Sequence, residues 1–153
     1  MIRPATHGDM TDIVGIVLAA NKQMGIAGRF QAKVNLPRIV LILGTMIHNP
    51  LADLSVVELN GTIAGACMVH AGGLIWDDTS LIATEHLWHM NPDWPNEHQK
   101  RFWFIKMLDH MIGWARAQGI KRFSISTPPE TPAARLLTRR GFIHHETVFV
   151  GDM

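Results

Sequence analysis

The residues of this chain best suited to chemistry fall between Glu85 and Gly119. An apolar strand, Leu87-Trp88-His89-Met90, stops at Asn91-Pro92. A polar loop, Asp93-Trp94-Pro95-Asn96-Glu97-His98-Gln99, then feeds a long helix that Gly119 closes. A loop whose amides point at the start of a helix is a ready anion cradle, because the first helical N–H groups lack internal partners and the helix dipole favours negative charge there. Glu85 adds a carboxylate, a group able to act as a general base, although a solvated strand residue would look the same. His86 and His89 follow. Side chains alternate along a strand, which places these two on opposite faces and makes them a poor metal pair.

Other reactive side chains are less well placed. His144-His145 has no partner at metal-ligand spacing, so no zinc site is expected. Asp77-Asp78 reads as part of a turn. Cys67 sits in an apolar stretch without an adjacent base, which argues against a thiol nucleophile. As the single cysteine it excludes an internal disulfide and suits a reducing compartment. A formal net charge of +1 argues against a dedicated nucleic-acid binder, although Arg135, Arg139 and Arg140 could meet an anionic ligand. No run of about 18 apolar residues suggests a membrane span, and Met1-Ile2-Arg3-Pro4 does not open a signal peptide. A cytoplasmic protein of one domain over residues 1–153 is the expectation, with 47% hydrophobic and 18% charged residues suiting a globular core.

The elements that must position these groups follow from periodicity and punctuation. Residues 2–5 read as an opening strand. Asp9 is the expected N-cap of a helix with Ile13, Ile16, Val17 and Ala20 on its apolar face and Gly25 as its stop. Residues 25–33 read as a loop of the kind that faces substrate. Asn35 and Pro37 start a second helix whose stripe is Ile39, Val40, Leu43, Met46 and Ile47, and Asn49-Pro50 ends it. Residues 54–59 and 62–70 form a hairpin on Asn60-Gly61, a pair suited to a tight turn with positive φ. Gly72-Gly73 is expected to break the strand, Leu74-Ile75-Trp76 to resume it, residues 77–80 to turn, and residues 81–90 to run as a strand into Pro92. The long helix carries Phe104, Leu108, Met111, Ile112 and Ala115 inward, with Lys106, Asp109, Gly113 and Arg116 outward. A strand over 121–127 has Phe123 and Ile125 on one side. Thr131-Pro132 then opens a helix that Gly141 closes, and residues 142–150 form a last strand. Early antiparallel hairpins and a late strand-helix-strand crossover give an α+β chain with a mixed, mostly antiparallel sheet flanked by about four helices.

This order, with several local sequences, resembles the GNAT (Gcn5-related N-acetyltransferase) superfamily over nearly the whole chain. Ile2-Arg3-Pro4-Ala5-Thr6 followed by Asp9 looks like its first strand and helix start. Met90-Asn91-Pro92 stands where the family has Val-x-Pro at the end of its fourth strand. Residues 112–119 (Ile-Gly-Trp-Ala-Arg-Ala-Gln-Gly) resemble the end of its third helix. Residues 133–142 resemble its Ala-x-x-Leu-Tyr-x-x-x-Gly-Phe segment.

The resemblance implies an N-acyltransferase that takes acetyl-CoA as acyl donor and a small-molecule or protein amine as acceptor. Trp88, His89 and Met90 would lie along the pantetheine arm, with Thr131 also at the cofactor. Glu85 would be the base, acting through water on the substrate ammonium. In the family a loop of form Arg/Gln-x-x-Gly-x-Gly/Ala wraps the pyrophosphate. The matching positions here are Gln99, Lys100, Arg101, Phe102, Trp103 and Phe104, with phenylalanines in place of both glycines. Either Gln99 to Trp103 still meet the phosphates, with Lys100 and Arg101 supplying charge, or Phe102 and Phe104 are core residues of a helix that starts earlier, capped by Asn96. The tyrosine that many members use as general acid is replaced by Leu137, and the chain has no tyrosine at all. An asparagine often found before it is Glu130. A second expectation is a GNAT-fold binding or structural protein without catalysis, because Trp88-x-x-x-Pro92 and the glycine-poor loop resemble divergent phage-encoded members. A third is an acyl-CoA sensor. Aromatics taken as exposed, Trp94 and Trp103, leave room for a homodimer.

Overall fold

The Asn60-Gly61 turn organises the sheet. In the computed structural model both residues take positive φ, 52° and 76°, the geometry that lets two strands return on each other with matching twist. The structure describes residues 1–24, 34–74, 77–127 and 131–144. Within them, β1 (Ile2–Pro4), β2 (Ala52–Leu59), β3 (Thr62–Leu74), β4 (Asp77–Met90) and β5 (Arg122–Ser124) form one sheet in the order β1-β2-β3-β4-β5. All neighbours are antiparallel except β4 and β5, which run parallel. A parallel neighbour needs a long crossover, and α3 (Glu97–Ala117) supplies it. The helices α1 (Met10–Met24), α2 (Leu36–Ile47) and α4 (Pro132–Arg139) complete an α+β fold with a mixed sheet.

The two faces of the sheet carry separate cores. Val57, Cys67, Val69, Ala83 and Trp88 lie with Met107, Leu108 and Met111 of α3 and Leu137 of α4. Leu54, Val56, Ala66, Met68 and Leu87 lie with Ile13 and Ile16 of α1 and Leu43 of α2. β4 contributes Trp88 to one and Leu87 to the other, and it carries a bulge. Met68 faces Leu87 while the next residue, Val69, faces Glu85, so His86 is an extra residue on β4.

Caps form where local chemistry dictates. Asn35, Asn96 and Thr131 accept from the amides of Arg38, Gln99 and Ala134 respectively. Asp9 departs from expectation. It ends a short 3₁₀ turn, His7–Asp9, ahead of α1, and its carboxylate accepts from the Thr6 amide and hydroxyl at 2.8 Å. Arg3 grips it with two hydrogen bonds and holds its carboxyl well below the usual range, which fastens β1 to the start of α1.

Other expectations also fail for physical reasons. Gly72 and Gly73 do not break β3, because each is paired across the sheet, with Ile82 and Leu81. Asp77-Asp78 is strand rather than turn, since Leu74 pairs with Asp77. β5 covers only part of 121–127. Val40 is 44% exposed, because it projects to the flank of α2 rather than down the line of Leu43. Residues 142–144 are not strand. The Gly25 stop, the loop over 25–33, Ile75, Trp76, Glu130 and the strand over 145–150 lie outside the described residues.

Candidate functional site

The pairing of β4 with β5 covers only Ile82, Ala83 and Thr84, opposite Arg122, Phe123 and Ser124. β4 runs on to Met90. From Glu85 to Met90 its outer edge therefore has no ladder partner among the described residues. Glu85 stands where that pairing ends. Its Cα is opposite Val69, on the α3 side of the sheet, and it is half-buried. Burial raises its pKa to about 7, although the Ser126 backbone N–H, donating to the carboxylate, pulls the other way. A carboxylate poised near neutrality can change protonation state at working pH.

The bulge also rearranges the histidines. Strict alternation would separate His86 from His89. The extra residue shifts the phase, so both lie on the α1/α2 face. His86 sits beside His70, their ring centroids 6.1 Å apart. Burial lowers the pKa of both His86 and His89, with His70 adding to the effect on His86. Of the other residues expected along the donor arm, Trp88 is in the core. Its ring stacks on Phe104 at 3.9 Å, and its Nε1–H donates to the Phe104 carbonyl at 2.7 Å. Only its backbone is left for a ligand. The Met90 side chain lies across Gly65, where a Cβ would come within 2.6 Å of its sulfur. A side chain at Gly65 would therefore require the Met90 thioether to move and would press on the His89 carbonyl at 3.1 Å.

The start of α3 is built differently from a glycine loop. The helix begins at Glu97, so Gln99, Lys100, Arg101, Phe102 and Trp103 are its own first turns. The Gln99 amide is taken by the Asn96 side chain at 3.0 Å, and the Gln99 side chain accepts from Trp94 Nε1 at 3.0 Å. Lys100 donates to the Pro92 carbonyl at 2.9 Å and pairs with Glu97. Glu97 itself puts a carboxylate at the positive end of the helix dipole, where an anionic ligand would otherwise sit. Phe104 is held against Trp88, which bears out the earlier-starting helix. Phe102 is not in the core. It is 52% exposed, with Trp103 edge-on at 5.2 Å and the Lys106 ammonium 5.6 Å above its ring. Arg101 is exposed and forms no ion pair among the described residues. Trp94 and Trp103, expected to be exposed, are half-buried against the core.

At α4, Thr131 is the N-cap, bonded also to the Thr127 hydroxyl at 3.1 Å. Leu137, at the position of the missing tyrosine, is 6% exposed in the core. One polar group went unforeseen. His110 of α3 places Nε2 2.8 Å from the Asp53 carboxylate and 3.1 Å from the Ser55 hydroxyl of β2. Both contacts fall on one ring nitrogen and Ser55 is fully buried, so this is a clamp between helix and sheet rather than a nucleophile and its base. Cys67, paired with Ser55, is also fully buried, and burial raises its thiol pKa. It is inert as a nucleophile. Among the described residues no group of three or more candidate ligands could hold a metal, and no helix is long and apolar enough to cross a membrane.

No protein-family model matches the sequence, and no curated protein matches it. Solved structures do match. A transcriptional regulator from Bacillus halodurans C-125 superposes with TM-score 0.72 at 20% identity, covering 99% of each chain. A predicted acetyltransferase with acetyl-CoA from Clostridium acetobutylicum gives 0.71 at 14% identity over 99% of this chain and 95% of that one. The aminoglycoside antibiotic 6'-N-acetyltransferase AAC(6')-IG from Acinetobacter haemolyticus gives 0.68 at 11% identity over 100% and 97%. At these identities the likeness concerns architecture alone, a mixed five-stranded sheet with four helices: this chain has the GNAT acetyltransferase fold.

Proposed function

We propose that the protein is a cytoplasmic N-acyltransferase that moves an acetyl or related acyl group from an acyl-CoA thioester to an amine. The observation that carries this reading is Glu85, a carboxylate raised to about 7 by burial at the point where β4 bulges and β5 leaves it. The solved structure with acetyl-CoA supports the donor, and the aminoglycoside enzyme supports an amine acceptor. The open β4 edge suits an extended pantetheine arm, whose amides can pair with backbone as a strand would. The α3 start does not suit a glycine-loop grip on pyrophosphate, because its third amide is capped and Glu97 stands at the anion position. At the start of α3, Arg101 is a cation without an ion pair among the described residues and could meet a phosphate as a point charge rather than a cradle.

The chemistry then follows from the residues. The acceptor arrives as an ammonium, and ionised Glu85 takes one proton through water. The free amine attacks the thioester carbonyl; a C–N bond forms and the C–S bond breaks. The second amine proton goes to the departing sulfur, which leaves as a thiol without help from a tyrosine. Backbone N–H groups near the bulge, on the β4 edge without a ladder partner among the described residues, offer donors for the developing oxyanion.

The closed α3 start favours a second reading, a GNAT-fold binding protein without turnover, for example a phage virion or host-interaction component. An amine panel with acetyl-CoA, read by mass spectrometry alongside calorimetry, separates the two. Glu85→Gln is expected to lower kcat by about 10²–10⁴, the usual worth of a general base, and to leave donor affinity unchanged. Wild-type kcat/KM should rise with pH through about 7, as Glu85 must be ionised to act. Equal turnover in Glu85→Gln removes this residue from the mechanism. Absence of binding at millimolar donor removes the enzyme, and binding without transfer leaves a sensor.

A further inference from the structure

On the opposite side of the sheet from α3, His7 of the 3₁₀ turn and His48, the C-cap of α2, bring their Nε2 atoms to 3.1 Å. The rings meet at 71° with centroids 5.1 Å apart, and both residues are exposed. Two imidazole nitrogens this close can share one metal ion. With zinc–nitrogen bonds of about 2.0–2.1 Å, a 3.1 Å separation subtends about 95–102°, between the octahedral and tetrahedral angles. Exposure leaves the remaining coordination positions to water. His48 also stands at the C-terminus of α2, where the dipole and the last carbonyls favour positive charge.

The other histidine contacts lack this geometry. His110 spends its Nε2 on Asp53 and Ser55, and His70 and His86 approach only as rings 6.1 Å apart. An exposed hydrogen bond between two neutral imidazoles competes with water and gains little, whereas a chelated cation gains from both nitrogens at once. We propose that His7 and His48 form a two-histidine site for a divalent transition ion of the zinc type, which would brace the start of α1 against the end of α2. Imidazole pairs suit such borderline ions rather than magnesium or calcium. The site is independent of the acyl-transfer reading.

Calorimetric titration of the full chain with zinc chloride at pH 7.5 tests it, beside His7→Ala, His48→Ala and, as a control, His86→Ala. The expected result is one zinc ion per chain, a Tm that rises with zinc, and binding unchanged in His86→Ala. Either His7→Ala or His48→Ala should weaken binding by more than about tenfold, since even loss of an outer-shell partner costs that much, and should abolish the zinc-dependent rise in Tm. Both side chains are exposed, so these variants should fold. Absence of binding by the wild type would overturn the proposal in favour of a plain imidazole hydrogen bond. Equal binding by wild type and His48→Ala would overturn it by placing the metal elsewhere.

Discussion

The outer edge of β4 and the first turn of α3 lie at the same end of the sheet, and they are built in opposite ways, one open and one closed. The β4 edge combines a bulge, backbone without a ladder partner among the described residues, a neighbour strand paired only as far as Thr84, and a carboxylate raised toward neutrality. The α3 start is closed, with Asn96 on its amide, Glu97 at its positive end and Lys100 tied to Pro92. The difference teaches that, under the proposed acyl transfer, the thioester would be met by an open strand edge and the phosphates by a helix start already satisfied from within the chain. Trp88 links the two regions, for it belongs to β4 and packs against Phe104 of α3.

Breaking that link should have the largest effect on the fold. Trp88→Ala removes a buried indole, a stacked ring and a hydrogen bond, and is expected to cost about 3–5 kcal/mol in denaturant unfolding. A loss below about 1 kcal/mol would mean that β4 and α3 are not joined through this residue. Glu85 acts on stability with the opposite sign. Its native pKa is raised, so the native state holds a proton that the unfolded chain has already released, and stability falls as pH rises toward about 7. The amide introduced by Glu85→Gln cannot ionise, so that substitution should flatten this fall even as it removes turnover. A smaller effect is expected at the position of the missing acid. Leu137→Tyr places a hydroxyl in a packed core and should cost about 1–3 kcal/mol by thermal unfolding with no gain in kcat. A faster enzyme would show that the cleft admits a general acid there after all.

Much of the fold was legible because it is local. Asn60-Gly61, Asn35 with Pro37, Asn96, and Thr131 with Pro132 each specify a turn or cap within four residues, and each forms as the sequence suggests. The β4 bulge was not legible. It depends on how residues 85–87 pair with Met68 and Val69 of β3, and alternation counted along one strand misplaced His86 and His89 in consequence. Gly72-Gly73 misled in the same way, since cross-strand pairing holds glycines that would break an isolated strand. The clamp of His110 on Asp53 and the approach of His7 to His48 span 57 and 41 residues, and no motif announces contacts at such separations. At the site itself the identity of Glu85 could be read from the chain, while the burial that makes it basic could not.

The account rests on a donor recognised along β4 rather than at α3, and comparing acetyl-CoA with acetyl-pantetheine as donors tests this most directly. If the phosphates meet only Arg101, the two should give kcat/KM values within about threefold, a difference of roughly 0.7 kcal/mol. Acetyl-CoA better by more than about a hundredfold would show that the α3 start opens to hold pyrophosphate, and would contradict the account.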